Sequence, residues 1–318
     1  MSRLAPIALF VYKRPDHVQR TIRALQACDG FADSPVFVFC DGTAREHDRG
    51  PVQAARQAAK SLLADRATFF ESDSNRGLAS SVINGVGRLC ESFGRVIVVE
   101  DDLVVAPGFL AFMNQALERY VKVEHVIHVT GYMFPVPELR DRREALFLPF
   151  ISSWGWATWA HAWRRFDANA LGWDRLEADR ALRKRFDLDG SFDYYYMLRL
   201  QLAGRIDSWA IRWYWSVFKH DGLSLFPPRS YVQNTGFDGS GTHGSRLARK
   251  LASEVDPRLT AAPGLPGEIR VVREDFDAVR RALSRAATSG LSGALRRVWR
   301  RLSLPYLTAL PRNKDGSQ

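Results

Sequence analysis

The sequence lacks the features that define several large classes of protein. It contains neither a G-x-G-x-x-G nor a G-x-x-x-x-G-K loop, which argues against a Rossmann dehydrogenase or a P-loop nucleotidase. No apolar run approaches the roughly 20 residues that a membrane-spanning helix needs. Its three cysteines, Cys28, Cys40 and Cys90, have no metal-ligand spacing, and we expect them to be buried free thiols.

What is present is typical of a globular α/β protein. The 318 residues are 46% hydrophobic and 25% charged, which is enough for one large domain with an appendage or for two modest domains. The apolar stretch Ile7–Val11 is too short for the core of a signal peptide and is not followed by a cleavage site. We therefore expect a buried first strand and a cytoplasmic protein.

The formal net charge of +10 indicates an anionic partner, and the excess lies near the end of the chain. Between Arg280 and Lys314 there are nine basic residues and no acidic one. Charge alone does not distinguish nucleic acid, anionic lipid and sugar diphosphate. The aromatic residues lie mainly before Tyr231 and the arginines after it, so the interleaved surface of a nucleic-acid-binding module is not predicted.

Strand and helix patterns alternate in the first 110 residues. Strands are predicted at 6–12, 36–40, 67–71 and 95–99, and helices at 17–28, 52–63 and 78–93. This order predicts a mostly parallel central sheet flanked by helices. Ligands of such sheets bind beyond the carboxyl ends of the strands, which directs attention to Lys13, Arg14, Asp41 and the acidic triplet Glu100-Asp101-Asp102.

Three adjacent carboxylates at the end of a buried strand repel one another and need a compensating cation or hydrogen-bond donors. Mn²⁺ or Mg²⁺ carrying a sugar diphosphate would compensate them, because these ions bind carboxylate oxygen and retain positions for phosphate. An acidic turn that caps the following helix is the structural alternative. By itself the triplet does not distinguish the two.

The segment Val98–Phe109, with its E-D-D turn followed by A-P-G-F, resembles the metal turn of a family of GT-A fold glycosyltransferases. That family includes the animal N-acetylglucosaminyltransferase that begins complex N-glycans. Three further segments resemble this family: Asn75-Arg76-Gly77-Leu78, Asp207-Ser208-Trp209 and Thr242-His243-Gly244. The segment Trp154–His243 is also similar to bacterial family-2-like sugar transferases. The resemblance implies a GT-A fold and a nucleotide-sugar donor.

The resemblance also implies roles for single residues. Asp102 would be the principal metal ligand, and Asp207 would be the base that accepts the acceptor hydroxyl proton. Asp193, within Phe192-Asp193-Tyr194, is a second candidate for the base that does not depend on the resemblance. The implied donor contacts are Lys13, Arg14, Asp41, Asn75, Arg76, Glu100, Asp101 and His243. Asp207 is also a plausible N-cap of the helix that follows it. The neighbouring tryptophans are expected to lie mostly in the core.

The predicted organisation is a GT-A domain over 1–246, with a nucleotide-binding half at 1–110 and an acceptor half at 111–246. A basic helical extension follows at 247–318. The expected activity is inverting sugar transfer, from a UDP-linked donor to a glycan or lipid-linked glycan in bacterial surface polysaccharide assembly. Segment 295–302, with arginine pairs beside apolar residues, could hold the protein on the inner face of an anionic membrane. The alternatives are an inactive GT-A domain that binds nucleotide or glycan, a nucleotidyltransferase and a nucleic-acid-binding protein.

Overall fold

The computed structural model describes residues 4–238 and 254–288. The strands are β1 Ile7–Val11, β2 Val36–Cys40, β3 Ala67–Glu71, β4 Arg95–Glu100, β5 Leu103–Val105, β6 Val126–Thr130, β7 Leu146–Leu148, β8 Trp156–Trp159, β9 Leu223–Phe226 and β10 Val232–Asn234. The α-helices are α1 Pro15–Gln26, α2 Arg49–Leu63, α3 Leu78–Phe93, α4 Phe109–Arg119, α5 Ala160–Trp163, α6 Arg175–Ala178, α7 Arg180–Phe186, α8 Tyr194–Leu202, α9 Trp209–Lys219 and α10 Arg273–Thr288. Short 3₁₀ turns lie at Glu46–Asp48, Ala64–Arg66 and Pro137–Leu139.

A central eight-stranded sheet organises the fold, in the order β3-β2-β1-β4-β8-β6-β9-β7. The half formed by β3, β2, β1 and β4 is parallel throughout, as the alternating pattern predicts. In the other half β8 runs antiparallel to both β4 and β6, and β7 runs antiparallel to β9. The predicted α/β class, a large sheet flanked by helices, is confirmed.

The sheet is covered on both faces. Every residue of β1 and β6 is buried, as expected when helices pack on each side. Helix α3 packs on β1 and β4, and α4 packs on β6 and β8. Because β8 pairs directly with β4, the two predicted halves of the domain share one sheet.

The aromatic residues between Trp154 and Phe218 supply much of the core. Trp156 stacks on His128 and on Trp209, with ring centroids 5.3 and 4.9 Å apart. His128 is enclosed between Trp213, whose indole N–H donates to Nδ1 at 3.1 Å, and the main-chain carbonyl of Ser152. This burial lowers the pKa of His128 to about 3, so its ring is neutral and structural. The predictions of mostly buried tryptophans and of buried free thiols are confirmed.

The described part of the predicted C-terminal extension packs against the domain. The main-chain carbonyl of Leu259 accepts from Gly108 at 2.8 Å, and that of Pro266 accepts from the Tyr120 hydroxyl at 2.7 Å. Helix α10 buries Val279 and Leu283. Residues 254–288 are therefore a structural part of this fold.

Candidate active site at the strand edge

The acidic triplet lies at the end of β4, next to the end of β1. Asp101 is buried, and its Oδ2 accepts from the main-chain N–H of Tyr12 at 3.1 Å. The hydroxyl of Thr21 donates to the main-chain carbonyl of Asp101 at 2.8 Å. Since β1 and β4 are parallel neighbours, the residues that follow both strands meet at one edge of the sheet.

Arg14 is the cation that compensates the triplet. A single guanidinium nitrogen, Nη2, donates to Asp101 Oδ1 at 2.6 Å and to Asp102 Oδ2 at 2.8 Å. Burial lowers the pKa of Arg14, but attraction to the two carboxylates outweighs this effect and raises the pKa above its ordinary value. Arg14 is thus held as a charged bridge between two acids.

The negative charges of the triplet remain crowded despite this bridge. Burial, with repulsion from Asp102 and Asp101, raises the pKa of Glu100 to about 8, even though its side chain keeps some solvent exposure. Burial also raises the pKa of Asp101, although Arg14 opposes that shift. Burial and mutual repulsion thus favour the protonated form of Glu100 at neutral pH, and a bound cation would favour the ionised form.

Asp102 is fixed through its main chain by the small antiparallel sheet of β5 and β10. Its carbonyl accepts from the N–H of Thr235 at 2.8 Å and from the Thr235 hydroxyl at 3.0 Å. A Cβ atom placed on Gly236 would lie 2.2 Å from Asp102 Oδ2 and 2.9 Å from Nη1 of Arg14. Only glycine allows the chain to pass this close to the pair.

The residues at Asp102 fit a divalent cation that arrives with a diphosphate. Oδ1 of Asp102 is buried and has no hydrogen-bond partner among the described residues. Within those residues no group of three or more His, Cys, Asp and Glu side chains is arranged to hold a metal. Mn²⁺ and Mg²⁺ in nucleotide sites need only one or two carboxylates, since phosphate and water complete the shell. The predicted contact His243 lies outside the described residues.

Asp41, at the end of β2, holds the turn that precedes α3. Its Oδ1 accepts from the N–H groups of Gly42 and Arg76 at 2.9 and 2.8 Å. Its Oδ2 accepts from the Asn75 side chain and from the Gly77 N–H, both at 3.0 Å. The four lone-pair positions of the carboxylate are thereby used. The main chain of Asp41 pairs with Val11, which places this turn next to Arg14 along the edge.

Asp207 lies beside that turn. A Cβ atom placed on Gly77 would be 3.7 Å from Asp207 Oδ2, and Arg212 donates to Oδ1 at 3.0 Å. Asp207 does not cap α9: the N-cap is Ser208, whose hydroxyl accepts from Ile211 at 3.3 Å. Asp207 therefore lies one residue outside the helix, and its carboxylate is 63% exposed.

Two other predicted residues have different surroundings. Asp193 precedes α8. Burial is the main cause that raises the pKa of Asp187 to about 7, and repulsion from the nearby charge of Asp193 adds to this shift. Lys13 donates to Asp48 at 2.7 Å. The structure thus places Arg14 at the triplet and Asp207 beside the turn Asn75–Gly77, which Asp41 holds and which we call the Asp41 turn. Lys13 and Asp193 have their described contacts elsewhere.

The sequence gives no indication of the roles of Thr21 and Gly236 at this edge, and it indicates the position of Gly42 but not its contact. Thr21 anchors the main chain of the triplet, and Gly236 allows the chain to approach Asp102. A Cβ atom on Gly42 would lie 2.3 Å from the main chain at Ser74, so this glycine allows the Asp41 turn to close. A glycine in a polar loop indicates a close approach of the chain to another group. The sequence does not show which group, because the partners of Gly42 and Gly236 are distant in sequence.

Trp154 is the most accessible residue of the tryptophan-rich segment near this edge. It is partly buried, with its ring 4.4 Å from Tyr132 and 5.6 Å from Phe237, whereas Trp156 and Trp159 are fully buried. The residue Phe237 directly follows the glycine that contacts Asp102. Trp154 therefore presents an aromatic face close to the candidate metal ligand.

No protein-family model matches the chain, and no curated protein sequence matches it either. Solved structures similar to it include GalNAc-T7 with UDP, GalNAc and Mn²⁺, at 12% identity and a TM-score of 0.45, covering 73% of this chain and 44% of that one. Another is the mannosyltransferase PcManGT from Pyrobaculum calidifontis with GDP-Man and Mn²⁺, at 15% identity and a TM-score of 0.42, covering 96% and 82%.

A third similar structure is mouse xyloside xylosyltransferase 1 in its apo form, at 12% identity and a TM-score of 0.35, covering 69% of this chain and 83% of that one. This chain spans less than half the length of GalNAc-T7. Among the described residues, none of the helices has the length and apolar character needed to cross a membrane.

Proposed function

We propose that the chain is a GT-A type glycosyltransferase that moves a sugar from a nucleoside diphosphate, most simply UDP, to a hydroxyl of a glycan or lipid-linked glycan. One observation carries this proposal: Arg14 joins Asp101 and Asp102 at the strand edge, where the Asp41 turn also lies, and the Asp207 carboxylate is beside that turn. Such an edge is where open α/β sheets bind ligands. A cation site and a carboxylate beside a turn are the parts that a sugar transfer needs.

In this proposal each residue has a defined task. Asp102 would hold Mn²⁺ or Mg²⁺, which when bound neutralises charge developing on the departing diphosphate. Arg14 would donate to diphosphate oxygens, and the turn Asn75–Gly77 would line the nucleotide. Asp207 would accept the proton of the acceptor hydroxyl as that hydroxyl attacks C1 from the face opposite the diphosphate, which inverts the configuration. Arg212 supports this task by fixing Oδ1 of Asp207.

A thermal-shift screen tests the nucleotide part of the proposal. The full chain is measured with UDP, GDP, CDP and ADP, each with and without Mn²⁺. We expect one nucleotide to raise the melting temperature only with Mn²⁺, because a ligand that binds only the folded state stabilises it. The isosteric variant Asp102→Asn should lose the shift. If no nucleotide stabilises the protein under either condition, the proposal is wrong.

Transfer itself is tested with the nucleotide sugar that the screen selects. Release of nucleoside diphosphate in the presence of sugar acceptors is compared between the intact protein, Asp207→Asn and Asp193→Asn. We expect Asp207→Asn to keep nucleotide binding and to lose transfer by at least about 100-fold, the usual contribution of a general base. Equal losses in both variants, or a loss only in Asp193→Asn, would move the base to Asp193. Binding without any turnover would favour the inactive, sugar-binding alternative.

We further propose that the protein acts in bacterial surface polysaccharide assembly, on the inner face of the membrane. Segment 295–302, the predicted membrane contact, lies outside the described residues. Part of the basic excess has internal partners, since Arg281 and Arg285 lie 3.5 and 3.4 Å from Glu138. Replacing the four arginines of 295–302 with glutamine should weaken sedimentation with phosphatidylglycerol vesicles. Equal sedimentation of both proteins would contradict membrane binding through this segment.

A further inference from the structure

The bridge made by Arg14 occupies one oxygen of the carboxylate that we assign to the cation. Nη2 donates to both Asp101 Oδ1 and Asp102 Oδ2, at 2.6 and 2.8 Å, and all three side chains are at least four-fifths buried. The remaining oxygen, Asp102 Oδ1, is buried without a partner among the described residues. A guanidinium thus occupies half of the carboxylate that we assign to the cation.

A divalent ion and the guanidinium would repel each other when both are bound to this one carboxylate. Like charges at partly buried positions repel more strongly than they do in water, because the surroundings screen them less. Attraction of Asp101 for Arg14 lessens this repulsion but does not remove it.

Arg14 is the partner that can move. The main chain of Asp102 is fixed by two hydrogen bonds from Thr235, and the backbone of Gly236 lies against Oδ2, so the carboxylate has little room to turn. Arg14 is held to Asp102 only through the end of a long side chain. A change of its side-chain rotamer would be enough to break this contact.

We propose that Arg14 and a divalent cation compete for Asp102, so that cation binding displaces the guanidinium and frees it to bind the diphosphate. This inference rests on the proposed metal site of a nucleotide-sugar transferase. Arg14 then has two partners in turn: the carboxylates before the donor arrives, and phosphate oxygens afterwards. Metal and diphosphate binding are coupled as a result, since each favours the state in which Arg14 has left Asp102.

The affinity for Mn²⁺ alone tests the competition without any turnover. Free Mn²⁺ is titrated by electron paramagnetic resonance against the full chain, Arg14→Gln, Arg14→Lys and Arg20→Gln. Arg20 is the charge-matched control, because it is exposed on α1, the helix that begins directly after Arg14, and its described hydrogen bond is to a main-chain carbonyl. We expect Arg14→Gln to bind Mn²⁺ about tenfold more tightly than Arg20→Gln, equivalent to about 1.4 kcal/mol. Arg14→Lys should fall between them.

The outcomes separate this inference from the proposed function. Equal or weaker Mn²⁺ binding by Arg14→Gln, relative to Arg20→Gln, would overturn the competition while leaving the metal site in place. If neither the intact protein nor any variant binds Mn²⁺, the metal site fails and the competition fails with it. Tighter binding that disappears when Asp102→Asn is added to Arg14→Gln supports the inference.

A second measurement follows Arg14 in the unaltered protein. Phenylglyoxal modifies accessible arginines, and peptide mass spectrometry reports each site separately. Mn²⁺ should increase the modification of Arg14, which is 18% exposed while it bridges the carboxylates, and leave Arg20 unchanged. Adding pyrophosphate with Mn²⁺ in excess should protect Arg14 again. Unchanged reactivity of Arg14 at saturating Mn²⁺ would refute the displacement.

Discussion

The substitution Asp41→Asn tests whether Asp41 has a structural role at the strand edge, by its effect on the stability of the protein. The carboxylate accepts four hydrogen bonds of 2.8–3.0 Å, three of them from main-chain N–H groups. In asparagine one oxygen still accepts two hydrogen bonds. An NH₂ group replaces the other oxygen and faces the two donors that this oxygen accepted from. Two bonds to a charged acceptor are lost, each worth about 1.5–3 kcal/mol. We expect the free energy of unfolding to fall by about 3 kcal/mol.

Urea denaturation measures this loss. With a slope of about 3 kcal/mol per molar urea, the upper part of the usual range, the midpoint should fall by about 1 M. Asp207→Asn is the matched control, because it makes the same chemical change in a side chain that is 63% exposed and has one ion-pair partner, Arg212. Surface pairs contribute about 0–1 kcal/mol. If the two variants had equal midpoints, the assignment of Asp41 as the residue that holds the turn would be wrong.

Three further predictions concern the same edge and the core behind it. Gly236→Ala, which places a Cβ 2.2 Å from Asp102 Oδ2, should weaken Mn²⁺-dependent nucleotide binding by about tenfold or more in the thermal-shift titration. The carboxyl of Glu100, whose pKa is raised from 4.5 to about 8, stays protonated in the folded chain while the unfolded chain ionises. The contribution of Glu100 to stability should therefore fall as pH rises from about 4.5 to about 8. Without metal, the urea midpoint of Glu100→Gln should depend less on pH than that of the unaltered protein. Trp156→Ala should cost about 3–5 kcal/mol of stability in urea, whereas Trp154→Ala, at a partly exposed ring, should cost clearly less.

The sequence predicted the parallel half of the sheet well, because its signals are local. Strands β2 and β3 and helix α3 have the predicted bounds, each being an apolar or periodic run between turn residues. The triplet was placed at a strand end for the same reason. Strand β8 was not predicted, since four buried residues rich in tryptophan have no period that separates a strand from other core segments.

The contacts of single side chains were less predictable. Lys13 and Arg14 are adjacent and look equivalent in the sequence, yet Lys13 pairs with Asp48 and Arg14 with the triplet. The contact of Gly236 with Asp102 depends on the pairing of β5 with β10, whose residues are more than a hundred positions apart. Such pairing follows from the tertiary fold, so no local pattern indicates it. The helix cap was misassigned by one residue, because Asp207 and Ser208 are both good N-caps.

The strand edge therefore has a fixed part and an exchangeable part. In the fixed part, Asp41 binds mainly main-chain N–H groups of its own and the neighbouring turn, and no ligand can replace those bonds without unfolding the turn. In the exchangeable part, Arg14 is bound to Asp102 through side chains alone, so another cation and another anion can take over both ends of that pair. In the proposed competition, exchange at Arg14 and Asp102 drives ligand binding. For this reason substitutions at Asp41 should act on stability, whereas those at Arg14 should act on affinity.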